Sequence, residues 1–357
     1  MDQYTTTEDV LKLGIVDPEL EEVLEHSPPP AMDFSLPVEH MREFFSAMEK
    51  SNYDSCPTFN TQESVINIPM RDGHQSELHI VKPGNSSSAN PLVVLIFGGA
   101  FIMGTNIQSI IWARMIAALY GATVVQPSYR LAPEHRFPTG PNDVWDNVQW
   151  IATNASALDA DLFKGFIIGG GSAGGNLSIV TAHRSVKEKL FPPITGVWTS
   201  IPACMSKETV PEKYKHMWIS REQNANAQGN PGMDSKSTGG YEAIYQQNYL
   251  SEDFSPFNME VPFSVLPPTY VQVAGLDIIR DDGLVYAKAL EDSGVKVKFD
   301  AYPGMPHGHF NLWPQLKQSE DEAEPLLPAP GDSTQVTRYS TRVSKRREED
   351  SDFEYYK

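Results

Sequence analysis

The stretch IIGGGSAGGNLS, residues 167–178, sets one serine hydroxyl among five glycines, between strand-like and helix-like residues. A glycine-rich turn of this kind either cradles a phosphate on its N–H groups or forms the Gly-x-Ser-x-Gly turn that raises a nucleophile. A phosphate loop needs a Lys followed by Ser or Thr, which is missing here, and the spacing of a dinucleotide fingerprint is poorly met. Gly170 and Gly174 flank Ser172 at the spacing of the nucleophile turn. The pattern predicts Ser172 as a nucleophile; the alternative is a flexible turn with an incidental serine.

A serine hydroxyl becomes nucleophilic when a histidine takes its proton and a carboxylate orients that histidine. Two later strands each end in a candidate partner. Asp277 follows TYVQVAG, and His307 follows VKFDAYP after a short turn. These groups occur in the chain order Ser, acid, His, each directly after a strand, where functional loops of a parallel sheet gather. The sequence therefore predicts a triad of Ser172, Asp277 and His307.

Other acids and a metal pair are weaker alternatives. Asp281 and Asp282 suit capping or dipole pairing at the start of the next helix, and Asp300 lies inside a strand. His307 and His309 have the spacing of metal ligands, but no further His, Cys, Asp or Glu cluster supports a metal site. We expect no metal.

Cleavage of an ester also requires N–H donors aimed at the developing oxyanion. The turn after LVVLIF offers the N–H groups of Gly99 and Ala100, and Ala173 follows the nucleophile. The alternative for this turn is a sharp bend that merely needs small residues.

The elements that must position these groups alternate between strands and helices, which predicts an α/β fold with right-handed crossovers and a mostly parallel sheet. An antiparallel hairpin opens the sheet at about 63–69 and 77–82. Further strands are expected at 92–97, 123–129, 165–169, 194–202, 269–275 and 297–303, and helices at 107–119, 142–153, from Ser172 onward and at 282–293.

Three segments depart from this alternation. Residues 1–50 are predicted to form an N-terminal helical segment. Residues 204–262 form an insertion in the catalytic domain of 51–317, with a polar sequence of weak helical pattern. Such an insertion over the sheet is typical of a cap. Trp218, Tyr241 and Tyr245 within it fit an apolar or aromatic substrate, or equally core packing. The polar segment 318–357 is expected to be a disordered tail.

Composition narrows the partners. With 28 Lys and Arg against 46 Asp and Glu, the net charge is −18, which disfavours nucleic acid and anionic membrane surfaces. Only two cysteines are present, and the N-terminal residues do not have the pattern of a secretory leader, so we expect a cytoplasmic protein. No stretch predicts a membrane span.

The motifs FGGAFIMG, YRLAPEHRFP, GGGSAGGNL, VQVAGLDIIRDDG and YPGMPHGHF together resemble the hormone-sensitive-lipase-like branch of α/β-hydrolase esterases, closest to its fungal members. The resemblance runs from about residue 63 to residue 317. It implies an α/β-hydrolase fold with an eight-stranded sheet and a helical cap made of the N-terminal helices and the 204–262 insertion. It also implies ester hydrolysis by the predicted triad, the three N–H donors above, no cofactor, and a monomer or homodimer.

The chain departs from that family at three positions. Phe97 and Ala100 occupy the first and fourth places of a turn that is usually His-Gly-Gly-Gly, and Gly171 stands where Asp usually precedes the nucleophile. Phe97 has no hydrogen-bonding group to hold the turn, and the Ala100 methyl would resist a positive φ. With a small or medium, apolar or aromatic ester as substrate, we expect contacts from Phe97, Phe101, Gly171 and Trp218.

The departures keep two alternatives open. One is a non-hydrolytic enzyme of specialised metabolism that performs acyl transfer, cyclisation or condensation in the same pocket. The other is a ligand-binding protein without catalysis.

Overall fold

The computed structural model describes residues 3–27, 37–85, 89–226 and 233–323. Eight strands form one sheet with the spatial order β1-β2-β4-β3-β5-β6-β7-β8. Their bounds are β1 Thr61–Pro69, β2 Gln75–Pro83, β3 Leu92–Ile96, β4 Thr123–Pro127, β5 Phe166–Gly171, β6 Gly196–Ser200, β7 Thr269–Ala274 and β8 Val297–Tyr302. β1, β2 and β4 pair antiparallel, and the remaining neighbours pair parallel. The predicted α/β fold with a mostly parallel, eight-stranded sheet is confirmed.

Helices cover both faces of the sheet because its central strands are apolar on both sides. On β3, Val93 and Leu95 pack in one cluster with α4 (Ile110–Tyr120). The alternating residues Leu92, Val94 and Ile96 pack in another cluster with α5 (Thr139–Thr153) and α6 (Ala173–Lys187). A third cluster joins β7 to α9 (Arg280–Asp292). Because each central strand is packed on both faces, its position and direction in the sheet are fixed. The loop at its carboxyl end is positioned in turn.

The described residues of the N-terminal segment contain α1 Thr7–Lys12, α2 Pro18–His26 and α3 Val38–Ser55. Each of the first two helices begins at a side-chain cap: Thr6 accepts from Asp9 N, and Asp17 accepts from Glu19 N at 2.9 Å. The third continues five residues beyond the expected limit at residue 50. In the described part of the chain no helix has the length and apolarity needed to cross a membrane.

The insertion between β6 and β7 contains α7 Ser220–Gln223, α8 Ser235–Tyr245 and three short 3₁₀ turns. Its residues 227–232 lie outside the described ranges. The buried amide of Asn176, on α6, donates to Ala203 O at 2.7 Å and to Phe254 O at 2.8 Å. One side chain of the helix that follows Ser172 therefore fastens the insertion at two points.

The compact unit that carries the sheet ends at Gly308, and a second unit begins at His309. This division comes before the expected boundary at residues 317/318. In the second unit, α10 (His309–Leu312) and α11 (Lys317–Ala323) are joined by a hydrogen bond of 2.8 Å between His309 Nδ1 and Ser319 Oγ. The described start of the segment expected to be a disordered tail, residues 318–323, thus lies in a helix, in which Lys317 pairs with Asp321 one turn later. Residues 324–357 lie outside the described ranges.

Candidate active site

Ser172 occupies a sharp turn between β5 and α6. Its backbone has φ 55° and ψ −120°, a strained conformation for a residue with a side chain, and its N–H donates to Ser200 O at 2.9 Å. The flanking glycines allow close packing here. A Cβ on Gly170 would lie 2.3 Å from Ile96 O, and one on Gly174 would lie 2.1 Å from the same oxygen. The glycines therefore let the turn press against the end of β3 while the hydroxyl stays partly exposed.

The three side chains of the predicted triad lie in one hydrogen-bonded line. The distance from Ser172 Oγ to His307 Nε2 is 3.0 Å, and that from His307 Nδ1 to Asp277 Oδ2 is 2.6 Å. Asp277 is fully buried and His307 is 12% exposed. The Asp277 carboxylate can only accept a hydrogen bond, so the neutral imidazole carries its hydrogen on Nδ1 and donates it to Asp277. The lone pair of Nε2 then faces the serine hydroxyl. This arrangement can take a proton from the hydroxyl.

Parallel strands bring these groups together from distant parts of the sequence. Ser172 follows β5, Asp277 follows β7 and His307 follows β8, each at a carboxyl end. Asp277 is held in turn by the Ile279 N–H, which donates to its other oxygen at 3.0 Å. Both ring nitrogens of His307 are engaged within this line, so neither is free to ligate a metal in this arrangement.

The alternative acids have other partners. Asp281 Oδ2 accepts from the backbone N–H groups of Ile219 and Ser220, each at 2.6 Å. Asp282 accepts from Cys204 N and Met205 N, from Trp218 Nε1 at 3.1 Å and from Arg221 Nη1 at 2.9 Å. Both carboxylates lie in the first turn of α9, but they make no side-chain cap there and bind the insertion instead. Asp300 accepts from the Tyr270 hydroxyl at 2.7 Å.

The turn after β3 lies directly beside the nucleophile. A Cβ on Gly98 would be 2.7 Å from Gly171 O and 3.3 Å from Ser172 Cβ. The next residues have left-handed backbones, with φ 122° at Gly99, 52° at Ala100 and 63° at Phe101. Ala100 therefore does adopt the positive φ that its methyl group resists. Within the described ranges neither Gly99 N nor Ala100 N meets an acceptor, and Ala173 N begins α6, where helical N–H groups have no intrahelical acceptor.

Several contacts hold this turn that the sequence analysis did not identify. Phe97 cannot donate a hydrogen bond, but its ring stacks on Tyr129 with centroids 4.1 Å apart. The Gly98 N–H donates to Gln108 Oε1 at 2.8 Å, and Gln108 Nε2 donates to Glu49 Oε1 at 2.9 Å. Nothing in the sequence pattern indicated these partners, because Glu49 lies on α3, Gln108 in the loop after the turn and Tyr129 after β4.

The expected substrate contacts do not all lie together. Phe101 stacks on Tyr245 of the insertion, with centroids 4.1 Å apart, and belongs to the same apolar cluster as Phe97. Gly171 has room beside it, since an added Cβ would meet only Ser200 O, at 3.8 Å. Trp218 packs in a different cluster, under the guanidinium of Arg221 and against Asp282. Its recorded contacts thus fasten the insertion to α9.

The chain is similar to a known protein family and to two fungal proteins. A family model described as the alpha/beta hydrolase fold matches residues 93–311. An AB hydrolase superfamily protein of Schizosaccharomyces pombe is 29% identical over 308 residues, which cover 85% of this chain and 90% of that protein. The versiconal hemiacetal acetate esterase of Dothistroma septosporum is 29% identical over 307 residues, covering 86% and 92%.

The fold of the chain is also similar to that of solved structures. The crystal structure of vibralactone cyclase aligns with a TM-score of 0.80 and 28% identity, covering 88% of this chain and 93% of that one. A bacterial heroin esterase aligns with a TM-score of 0.75 and 26% identity, covering 87% and 95%.

Proposed function

The chain belongs to the alpha/beta hydrolase fold family, in its hormone-sensitive-lipase-like branch, and on that premise we propose that it is a serine carboxylic-ester hydrolase. The observation that carries the proposal is the line from Ser172 through His307 to Asp277, at 3.0 Å and 2.6 Å. Relatives named as esterases support it at the level of the family.

In the proposed reaction, His307 Nε2 takes the proton of Ser172 Oγ as that oxygen bonds to the acyl carbon of the ester. Asp277 stabilises the imidazolium that forms. The carbonyl oxygen becomes an oxyanion, which accepts hydrogen bonds from the N–H groups of Gly99, Ala100 and Ala173. Collapse of this intermediate breaks the bond to the alcohol oxygen, and the imidazolium gives that oxygen its proton. Water then opens the acyl-enzyme by the same steps.

The substrate we propose is a small or medium ester with an apolar or aromatic group. The support is the aromatic cluster beside the turn, in which Phe101 stacks on Tyr245 and lies 6.2 Å, centroid to centroid, from Phe254. These three side chains are buried, so the cluster acts by making the wall behind the turn apolar, which favours an apolar group over a charged one.

Labelling with a fluorophosphonate tests the proposal. The probe forms a covalent adduct with an activated serine, so the full-length protein should be labelled on Ser172 and the Ser172→Ala variant should not. Turnover of a series of p-nitrophenyl esters of graded acyl length should be abolished by the same substitution. A folded wild-type protein that is neither labelled nor able to turn over any ester would contradict the proposal.

A second candidate is a non-hydrolytic reaction, such as cyclisation or acyl transfer, at the same serine. It is favoured by the similarity to vibralactone cyclase and by Phe97 and Ala100 in the turn. In that case the wild-type protein should be labelled by the fluorophosphonate yet show no hydrolysis, and Phe97→His should restore some hydrolysis. Rapid hydrolysis by the wild type would exclude it. Simple ligand binding would instead leave cellular function unchanged in Ser172→Ala.

A further inference from the structure

The turn that carries the proposed oxyanion donors is strained and needs outside support. Three consecutive residues, Gly99 to Phe101, have positive φ values, and two of them bear side chains. Ala100 and Phe101, which bear side chains, each cost about 1–2 kcal/mol relative to an ordinary backbone, whereas Gly99 does not. The turn will hold this conformation only if surrounding contacts outweigh that cost.

Backbone N–H groups of Ile102 and Met103 donate to Gly99 O, each at 3.0 Å, and Gln108 makes the side-chain hydrogen bond nearest to the donors. Its Oε1 accepts from the Gly98 N–H at 2.8 Å, one residue before Gly99. Its Nε2 lies 3.5 Å from Gly98 O, so the amide spans both polar groups of that residue. The side chain thereby supplies the turn with a hydrogen bond that the Phe97 ring cannot make.

Glu49 leaves Gln108 only one useful orientation. The carboxylate is 3% exposed, and its two oxygens accept from Gln108 Nε2 at 2.9 Å and from Thr105 Oγ1 at 2.6 Å. A carboxylate accepts and does not donate, so the amide NH₂ must face Glu49 and the amide oxygen must face Gly98. Burial raises the pKa of Glu49, and the two hydrogen bonds oppose that rise.

Glu49 in turn belongs to a helix that is fixed against the same loop. On α3, Arg42 donates to Ile102 O and to Ala132 O, each at 2.6 Å, and pairs with Glu134. The helix thus contacts both ends of the loop from Ile102 to Gln108. A continuous series of hydrogen bonds therefore runs from α3 through Gln108 to the turn.

We propose that Gln108 is a positioning residue for ester hydrolysis, which holds the turn so that the N–H groups of Gly99 and Ala100 meet the developing oxyanion. Glu49 acts one step further away, by orienting the Gln108 amide. This inference rests on the proposed function, because it assigns the turn its role in that reaction.

The test compares Gln108→Met with Gln149→Met in the full-length protein. Methionine keeps the length of the side chain and removes its hydrogen bonds, and Gln149 is an exposed residue of α5. The readouts are kcat per serine titrated to completion with a fluorophosphonate, KM for a p-nitrophenyl ester, and the inhibition constant of a trifluoromethyl ketone. That ketone forms an adduct with the serine that carries an oxyanion.

We expect Gln108→Met to lower kcat per titrated site by about 10- to 100-fold, below the loss of about 10²–10³ that follows removal of a whole donor. KM should stay within about threefold, and binding of the ketone should weaken in parallel with kcat/KM. Glu49→Gln should give a smaller loss of the same kind, and Glu43→Gln, an exposed position on α3, should give none.

A purely structural role would lower the melting temperature or the fraction of titratable sites and leave kcat per site unchanged; that result would overturn the inference. Should Gln108→Met fail to fold, Gln108→Asn keeps an amide but is too short to reach both partners, and the same criteria apply to it. A wild type without labelling or turnover would overturn the proposed function and this inference with it. Wild-type turnover with an unaffected Gln108 variant would overturn the inference alone.

Discussion

Substitution of Gly98 by alanine tests the geometry of the turn beside the nucleophile. The new Cβ would lie 2.7 Å from Gly171 O, whereas ordinary contact begins at 3.4 Å, so the turn and the serine must separate by about 0.7 Å. The obstacle is backbone, which cannot rotate away as a flexible side chain would. Gly99 N and Ala100 N move with the turn, and a misplacement near 1 Å can lower a rate about 10²-fold.

We therefore expect Gly98→Ala to reduce kcat by about 10²-fold, a change of about 3 kcal/mol in activation free energy, with KM within about threefold. The assay is hydrolysis of a p-nitrophenyl ester, corrected by titration of the serine to completion. Gly196→Ala, at the start of β6, is the matched control, because its Cβ would meet nothing nearer than Ile167 Cγ1 at 3.5 Å. If Gly98→Ala kept wild-type kcat per site, or if Gly196→Ala lost as much, the reasoning would be refuted.

Three further substitutions test one contact of the triad and two buried groups that stabilise the fold. Asp277→Asn should lower kcat by about 10⁴-fold with an unchanged melting temperature, because the amide no longer secures the His307 tautomer; a loss below tenfold would contradict this. Asp282→Asn should lower the free energy of unfolding in urea by about 3 kcal/mol, since Arg221 loses its fully buried partner; a loss under 1 kcal/mol would count against it. Burial lowers the pKa of His183 to about 3, so the unfolded chain binds this proton more readily, and stability falls as pH drops below about 6.5. Between pH 6.5 and pH 5 the free energy of unfolding, measured by urea titration, should fall by about 2 kcal/mol more in the wild type than in His183→Gln. If this free energy depended equally on pH in both proteins, the assignment would be refuted.

The strands and helices of this fold could be predicted from the sequence, because short apolar runs alternate with segments that have the apolar periodicity of a helix. The chemistry-bearing residues each stand directly after such a run, so a parallel sheet brings them to one edge. Trp218 shows the limit of that reasoning. An aromatic residue in an insertion reads the same whether it lines a pocket or packs inward, and here its indole N–H donates to Asp282.

Contacts between distant segments were likewise out of reach. Asp281 and Asp282 have the position of ordinary helix-start acids, and only the folded chain shows that the insertion supplies their N–H donors. Gln108 and Glu49 carry no motif, because an amide and a carboxylate are common surface residues until the fold buries them. Local patterns reveal the strands and helices, while a hydrogen bond that joins residues far apart in the sequence leaves no local pattern.

Phe97 stands where the family usually has histidine, and other groups contact the turn. The Phe97 ring stacks on Tyr129, and the Gln108 amide, which donates to Glu49 of a helix outside the sheet, accepts from the Gly98 N–H. If Gln108 positions the turn as proposed, α3 takes part in the chemistry through Glu49. Truncation of the N-terminal segment before Glu49 would accordingly remove Arg42 from the loop and lower kcat as well as substrate binding. A cap that only encloses substrate would change KM alone.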